Sequence, residues 1–410
     1  MASVATDLRE RVRRLPGMDR LLPALEGLPP VFLVGGAVRD LLRGAAAVDL
    51  DLAVEGDARS VARELAVRLG ATAAEHERFG TAKVRADELS FDLATTRREV
   101  YERPGALPLV ERAPLVEDLR RRDFTINAMA IGLTGEDLGH LYDPYGGVRD
   151  LEARVVRVLH DRSFMDDPTR LLRAVRYEAR LGLAMDPDTE RLARAAAAEQ
   201  ALAMVSGSRV RDELVDLLAE LEGPRPIRRL RELELDRAMH PRLIADPQLV
   251  ASAALGATAI GASRVLSALA ALCLRDPVEL LGWLDSLQLV AGERDAAARA
   301  VRSAPLLAVE LRRERSPSEL YELLRAEPPE ALALALALGA PPDPVLRFVT
   351  ELRAVRLEIS GADLRAAGIP ESPAIGRALE TTLRRKLDGD LAGREAELEA
   401  ALSVARAEDP

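Results

Sequence analysis

The sequence changes texture near residue 160, and that change limits the fold more than any single motif. Before it, apolar runs are short, β-rich and separated by turns. VFLVGG (31–36), DLDLAV (49–54), TAKVRA (81–86), LSFDLATT (89–96) and NAMAIGL (127–133) read as strands. ARELAVRLG (62–70) reads as an intervening helix stopped by Gly70. Three prolines and many charges make REVYERPGALPLVERAPL (98–115) an extended loop. After residue 160 the pattern is helical almost to the end, with breaks at Pro187, Pro224, Pro241, Pro277 and Pro317. The breaks have no fixed period, so a solenoid is not supported. ALALALALG (331–339) alternates like a strand but has no β-branched residue, and Ala and Leu favour a buried helix. The fold class is therefore α+β: an N-terminal domain with a mixed sheet, followed by an all-α region.

A chain of 410 residues exceeds one ordinary domain. No run reaches the roughly 18 apolar residues that span a bilayer. The N-terminus, MASVATDLRERVRRLPG, is charged too early for a secretory signal. The single cysteine, Cys273, excludes a disulfide scaffold and a Cys-based zinc site. A cytoplasmic location without a membrane partner is expected. The net charge of −10 argues against a broadly basic nucleic-acid binder but leaves room for a local basic groove. The cations are nearly all arginine, Lys83 and Lys386 being the only lysines. GC-rich coding explains that bias, which also supplies planar forks for phosphates and base edges.

The strongest local signal is LVGGAVRDLLRG followed by VDLDLAV. Gly35 and Gly36 end a strand, and a helix is expected to start at Ala37. Glycines there let backbone N–H groups approach a phosphate, and the helix N-terminus adds its positive end. Asp49 and Asp51 stand at i and i+2 of a strand, so both carboxylates share one face. Paired carboxylates repel unless a cation lies between them, and hard oxygen ligands suit Mg²⁺. A phosphate cradle beside paired aspartates is what nucleotidyl transfer needs. Each element alone is ordinary, a plain turn or a solvated strand face; their combination at this spacing is not.

Further motifs follow in order: FDLATTRREVY (91–101), DLRRRDFTINAMA (118–130), DPYGGVRDL (143–151), DDPTRLLRAVRYEARLG (166–182) and SRVRDELVDLL (208–218). Together with VGGAVRD (34–40) and DLD (49–51), this series resembles the class II tRNA nucleotidyltransferase and bacterial poly(A) polymerase family. That family lies within the polymerase-beta-like nucleotidyltransferase superfamily. The resemblance covers roughly residues 30–220. It implies a catalytic head at 1–150, a nucleotide-selecting neck at 151–222 and a tRNA-binding helical region at 223–410. It also implies that Asp49 and Asp51 bind Mg²⁺, with Asp92 either a third carboxylate or an ordinary strand aspartate. Gly35, Gly36 and Arg39 would hold the triphosphate. Arg122 and Asp123 would handle phosphates and ribose, and Asn127 is a ligand contact or a satisfied turn residue. The loop at 98–115 lies where the family carries a flexible loop tied to adding the terminal adenosine.

In DDPTR, Pro168 fits a first helical turn and Asp167 its N-cap. Arg170, Arg173, Arg176 and Arg180 then recur three or four apart, opposite Leu171, Leu172 and Val175. This is either a solvated face or a nucleotide-binding one. The functional reading is specific. A carboxylate at 167 accepts from an exocyclic amine, and a guanidinium at 170 donates to a ring nitrogen. Cytosine and adenine offer that order; uracil and guanine reverse it, leaving buried groups unpaired. The family motif usually begins with glutamate, where this chain has Asp166. The expected partners are the tRNA 3′ end, CTP and ATP, with no DNA. The reaction would be attack of the 3′-hydroxyl on the nucleotide α-phosphate. CC-only addition, A-only addition and poly(A) synthesis stand as alternatives to full CCA addition. His160-Asp161 forms an HD dipeptide, but a phosphohydrolase site needs later ligands and only His240 follows.

Overall fold

The computed structural model describes residues 2–45, 50–76, 80–86 and 89–408. Its chain forms two compact units, one of residues 1–217 and 229–241, the other of 218–228 and 242–410.

The first unit holds strands β1 (Val31–Val34), β2 (Leu50–Val54), β3 (Thr72–His76), β4 (Thr81–Ala86), β5 (Leu89–Thr95), β6 (Arg97–Val100), β7 (Leu109–Arg112), β8 (Ala130–Gly132) and β9 (Leu141–Tyr142). Seven of them form one sheet in the order β3-β4-β5-β2-β1-β8-β9. Within this sheet, among the described residues, only β2 and β5 pair in parallel and the other pairs are antiparallel, so the sheet is mixed as expected. β1 is apolar throughout because it is buried on both faces. β5 alternates buried and exposed residues, so one face, with Asp92, stays wet. The helix Ala58–Leu69 covers the other face of β4 and β5. Asp57 caps its start by accepting from Arg59 N–H, and Gly70 ends it in the left-handed conformation. Leu65, Leu52, Phe91 and Leu93 are almost wholly buried between them. Each contributes about 1.5–3 kcal/mol of burial free energy.

Several elements differ from the sequence reading. The stretch 98–115 is not an extended loop: β6 and β7 pair as a separate two-stranded ribbon. Pro104 and Pro108 fall in its connection and Pro114 precedes the helix Leu115–Arg120, so no proline interrupts the ladder. The charges that argued for a loop pair across it, Arg98 with Glu111 at 2.5 Å. NAMAIGL yields a strand only at Ala130–Gly132, because Thr125–Asn127 is a 3₁₀ turn. The helix after Gly35 begins at Gly36, one residue early. Asp49 lies outside the described residues.

The second unit is helical. Pro247–Ala259, Arg264–Cys273, Ala291–Glu310 and Pro329–Ala337 pack on one another through small residues. The strictly alternating segment is indeed a helix, with Ala331 to Ala335 buried. Cys273 and Trp283 are core residues, and burial pushes the Cys273 thiol up to about 12. Among the described residues no helix is long and apolar enough to cross a membrane.

Candidate active site

A cavity of about 700 Å³ in the first unit gathers Gly35, Gly36, Arg39, Asp51, Arg122, Asp123, Asn127, Asp167, Arg170, Arg173 and Arg176. Residues separated by up to 141 positions of sequence thus share one polar cleft, and each element places its side chains for a local reason.

Gly35 leaves β1 with φ +67 and ψ −130, a region open essentially to glycine. A Cβ there would also lie 2.9 Å from Arg122 Nη1. The turn and the guanidinium therefore fit together only with glycine, which leaves a bare backbone surface on the cavity. Arg122 donates to Asp118 Oδ2 at 3.0 Å, while its Nε is buried without a hydrogen-bond partner. A buried donor left unpaired is costly unless a ligand satisfies it. Asp118 also accepts from Arg121, and these two cations hold it below the usual carboxylate range although burial opposes them.

Arg39 is buried. It forks onto Asp40 through two bonds of 2.9 Å and donates to Asn127 Oδ1 at 2.7 Å. Asn127 passes the chain on by donating to Asp123 Oδ1 at 3.0 Å. Asp123 Oδ2 accepts from Arg173 Nε and Nη2 at 3.0 and 2.8 Å. Burial pushes the Asp123 carboxyl up, but Arg173 and the Asn127 bond outweigh it and hold the group low. The rings and cations stack as well: Arg39 and Arg173 lie 5.4 and 5.5 Å from the Tyr177 ring centroid. Arg173 further donates to Glu213 at 2.9 Å, and Arg176 to Asp216 at 2.6 Å. Asp123, Asn127 and Arg173 are thus strongly committed to one another, a rigid wall more than a set of loose ligand arms.

Asp51 is exposed and lines the cavity. In register beside it on β5 stands Asp92. Asp92 does not join the cavity lining; it is bound by Lys83 Nζ at 2.7 Å, from the next strand. The third-carboxylate position is therefore answered by a cation of the protein itself. Among the described residues no group of three or more His, Cys, Asp or Glu is arranged to hold a metal.

The helix carrying the arginine stripe runs Arg170–Leu181, so Asp167 is not its N-cap. Asp167 ends the preceding turn Ser163–Asp166 and folds back on Thr169, accepting from its N–H at 3.1 Å and its hydroxyl at 2.7 Å. Residues 167–170 close a tight turn ahead of the helix, the Arg170 N–H donating to the Asp167 carbonyl at 3.1 Å. Arg170 is buried, not on a solvated face. It donates to Ser163 Oγ at 2.7 Å and to the Arg121 carbonyl at 2.6 Å. Asp166 turns away from the cavity and faces His160 and Arg162 at 4.0 and 3.4 Å.

Sequence reasoning missed Asp118, Arg121, Tyr177 and Arg209, which complete this site. All four stand inside the motif blocks. Tyr177 was signalled by its spacing of four from Arg173, and Asp118 by its spacing of four from Arg122.

The comparisons with known proteins agree with this geometry. Residues 31–157 match the poly A polymerase head domain. An A-adding tRNA nucleotidyltransferase of Geobacter sulfurreducens is 37% identical over 92% of this chain and 45% of its own length. A CC-adding tRNA nucleotidyltransferase of Deinococcus radiodurans is 35% identical over 85% of this chain and 82% of its own. The Thermotoga maritima CCA-adding enzyme, solved in complex with tRNA, superposes with a TM-score of 0.78 at 31% identity, over 97% of this chain and 98% of that one. This chain spans less than half the length of the Geobacter relative. With its motif series, its mixed-sheet head and these matches, the chain belongs to the class II tRNA nucleotidyltransferase and bacterial poly(A) polymerase family.

Proposed function

We propose that the chain is a template-independent tRNA nucleotidyltransferase, adding CMP, AMP or both from CTP and ATP to the tRNA 3′ end. The observation that carries this reading is the single cleft joining the Gly35–Gly36 turn, Asp51, Arg122 and the Asp167–Arg170 pair. The bare turn and the unpaired Arg122 Nε suit the triphosphate. Asp49 and Asp51 would hold Mg²⁺, which suits hard carboxylate oxygens. The exposed Asp51 beside that turn fits such an ion. The ion's contribution when bound is to neutralise phosphate charge and activate the attacking oxygen. The primer 3′-hydroxyl gives up its proton to solvent and attacks the α-phosphorus, the bond from that phosphorus to the α–β bridging oxygen breaks, and pyrophosphate leaves. Arg170, held by Ser163 and the Arg121 carbonyl, aims its remaining N–H groups at the base, and Asp167 accepts the exocyclic amine. The division into a head at 1–150, a neck at 151–222 and a tRNA-binding region at 223–410 accompanies this reading, as does a cytoplasmic site of action.

Relatives named A-adding, CC-adding and CCA-adding bear on how many steps are carried out. Label incorporation with Mg²⁺ separates the cases. The primers are tRNA transcripts ending before the tail, after C and after CC, with CTP, ATP or both. Completion of all three primers to CCA defines full addition. Arrest at CC, or extension of the CC-ended primer alone, defines a restricted enzyme. No incorporation on any primer refutes the proposal.

Base selection gives a sharper check. Arg170→Ala removes the donor to the ring nitrogen and should reduce the preference for CTP and ATP over UTP and GTP by about 10²-fold. The readout is kcat/KM for each nucleotide. Unchanged rejection of UTP and GTP would refute an amino-acid template at this position.

A further inference from the structure

We infer that Lys83 and Arg85 form a phosphate track for the primer, receiving the last two phosphodiesters of the RNA strand that is extended. The inference rests on the proposed function above and names the side chains that meet the second substrate beside the reacting centre.

The register of the sheet builds the track. Asp51 on β2 stands beside Asp92 on β5, and Asp92 stands beside Lys83 on β4. The residues before and after each of them are buried, so these three side chains share the wet face, opposite the helix Ala58–Leu69. In the next row on that face Arg85 stands beside Ser90, and both are exposed. Lys83 and Arg85 are two residues apart on one strand, about 7 Å. That separation is comparable with the spacing of successive phosphates along an extended single strand. Lys83 stands two strands from Asp51, about 10 Å across the sheet.

The flank on which the track lies follows from the chemistry. The Gly35–Gly36 turn ends β1, on the other side of β2 from β5 and β4. The nucleotide cavity takes in that turn and Asp51, and neither Asp92 nor Lys83 lines it. The leaving end of the triphosphate therefore lies on the β1 flank. Attacking and leaving oxygens stand in line at the phosphorus, so the 3′-hydroxyl arrives from the β5 flank. The 5′-phosphate of the same primer nucleotide then passes over β5 and β4. Asp51 and Asp92 repel a phosphate there, and the two cations of β4 offset that repulsion. Lys83 is already set for the contact. Its Nζ donates to Asp92 Oδ2 at 2.7 Å, which leaves two of the three ammonium donors for a ligand. An exposed pair of this kind adds little stability; its effect is to hold a flexible side chain upright beside the site. Arg85 has no ion-pair partner among the described residues and supplies the next cation along the strand.

The test measures binding of CC-ended tRNA to the full chain over a salt series, without nucleoside triphosphate. Lys83→Ala should weaken binding about three- to tenfold, the scale of one hydrogen bond at a solvated site. The slope of log K against log salt should fall by about 1, as for one lost phosphate contact. A neutral methylphosphonate at the last linkage of the tRNA should weaken wild-type binding by the same factor and should cost Lys83→Ala nothing more. Arg85→Ala should couple in the same way to a methylphosphonate one linkage further in. Displacement of a fluorescent nucleotide by CTP or ATP should be unchanged in both variants. Lys83→Gln takes the place of the alanine variant in every arm if the latter fails to fold. Asp92→Asn added to Lys83→Ala removes the carboxylate left without its lysine, and the loss of tRNA binding should persist. Recovery of wild-type binding in that double variant would mean that Lys83 only neutralises Asp92, and would overturn the inference. An unchanged salt slope, or additive losses from Lys83→Ala and the terminal methylphosphonate, would also overturn it. If the wild type incorporates nothing on any primer, the proposed function fails while the binding series still tests the track. A wild type that extends tRNA but binds all three linkages alike overturns the track and leaves the proposed function standing.

Discussion

Asp51→Ala should abolish nucleotide incorporation, by about 10³-fold or more, with the fold and tRNA binding retained. The size follows from the role. Charge stabilisation at a phosphoryl centre is worth several kcal/mol, and each 1.4 kcal/mol or so is tenfold in rate. The retained fold follows from exposure: Asp51 lies on the solvent side of β2, where substitutions change stability by about 0.5 kcal/mol or less. Asp92 provides the internal control. It occupies the register position beside Asp51 on the same face, but Lys83 already neutralises it. Asp92→Ala should therefore cost less than about tenfold in turnover, an expectation set by the weak energetics of an exposed pair. Incorporation on a CC-ended and an unfinished tRNA, with gel-shift binding in parallel, measures both variants. Retained turnover in Asp51→Ala would remove the two-aspartate mechanism. Equal losses in the two variants would make Asp92 a full third ligand despite its lysine.

How much of this site was readable from the sequence depended on how local its physics is. The glycine turn, the β2 aspartate and the arginine stripe declared themselves because their spacing maps directly onto a turn, a strand face or a helix face. The strand β1 was legible for the same reason: four consecutive apolar residues ending in glycines have few other uses. The ribbon of β6 and β7 was not, because its ladder pairs residues up to 15 positions apart, as Arg97 and Arg112 are, with Arg98 bound to Glu111 across it. Prolines that read as breakers proved to mark the ends of strands. The helix starts at Arg170, later than Asp167 and Pro168 led one to expect, because residues 167–169 form a turn of their own in which Asp167 accepts from both Thr169 donors. The wall formed by Arg39, Asn127, Asp123 and Arg173 was the least legible part. Its members were each named from motifs, but bonds spanning 50 and 88 residues made them a single structure.

That wall carries the second large effect, on stability. Arg173→Met removes the cation that Asp123 faces and leaves a buried carboxylate with only Asn127 and its own turn as donors. Breaking a buried pair from one side costs about 3 kcal/mol or more, because the remaining charge keeps its desolvation penalty. For a unit of this size that corresponds to roughly 6–12 °C in melting temperature. The pH dependence identifies the cause. In the wild type the Asp123 carboxyl is held below its ordinary value, so its stabilisation is present above the unfolded pKa, about 3.9, and is lost as pH falls through the lower folded value. Without Arg173 the burial that opposed ionisation is no longer outweighed, and the folded value moves up. The Glu213 carboxyl, already raised by burial and also paired with Arg173, moves in the same direction. Stability lost by the variant at neutral pH is therefore regained relative to wild type as both groups take up protons. Thermal unfolding from pH 4 to pH 8 should show the two curves far apart at pH 8 and converging in acid. Parallel curves across that range would mean that Arg173 supports the fold by packing on Tyr177, and that the charge pair with Asp123 contributes little.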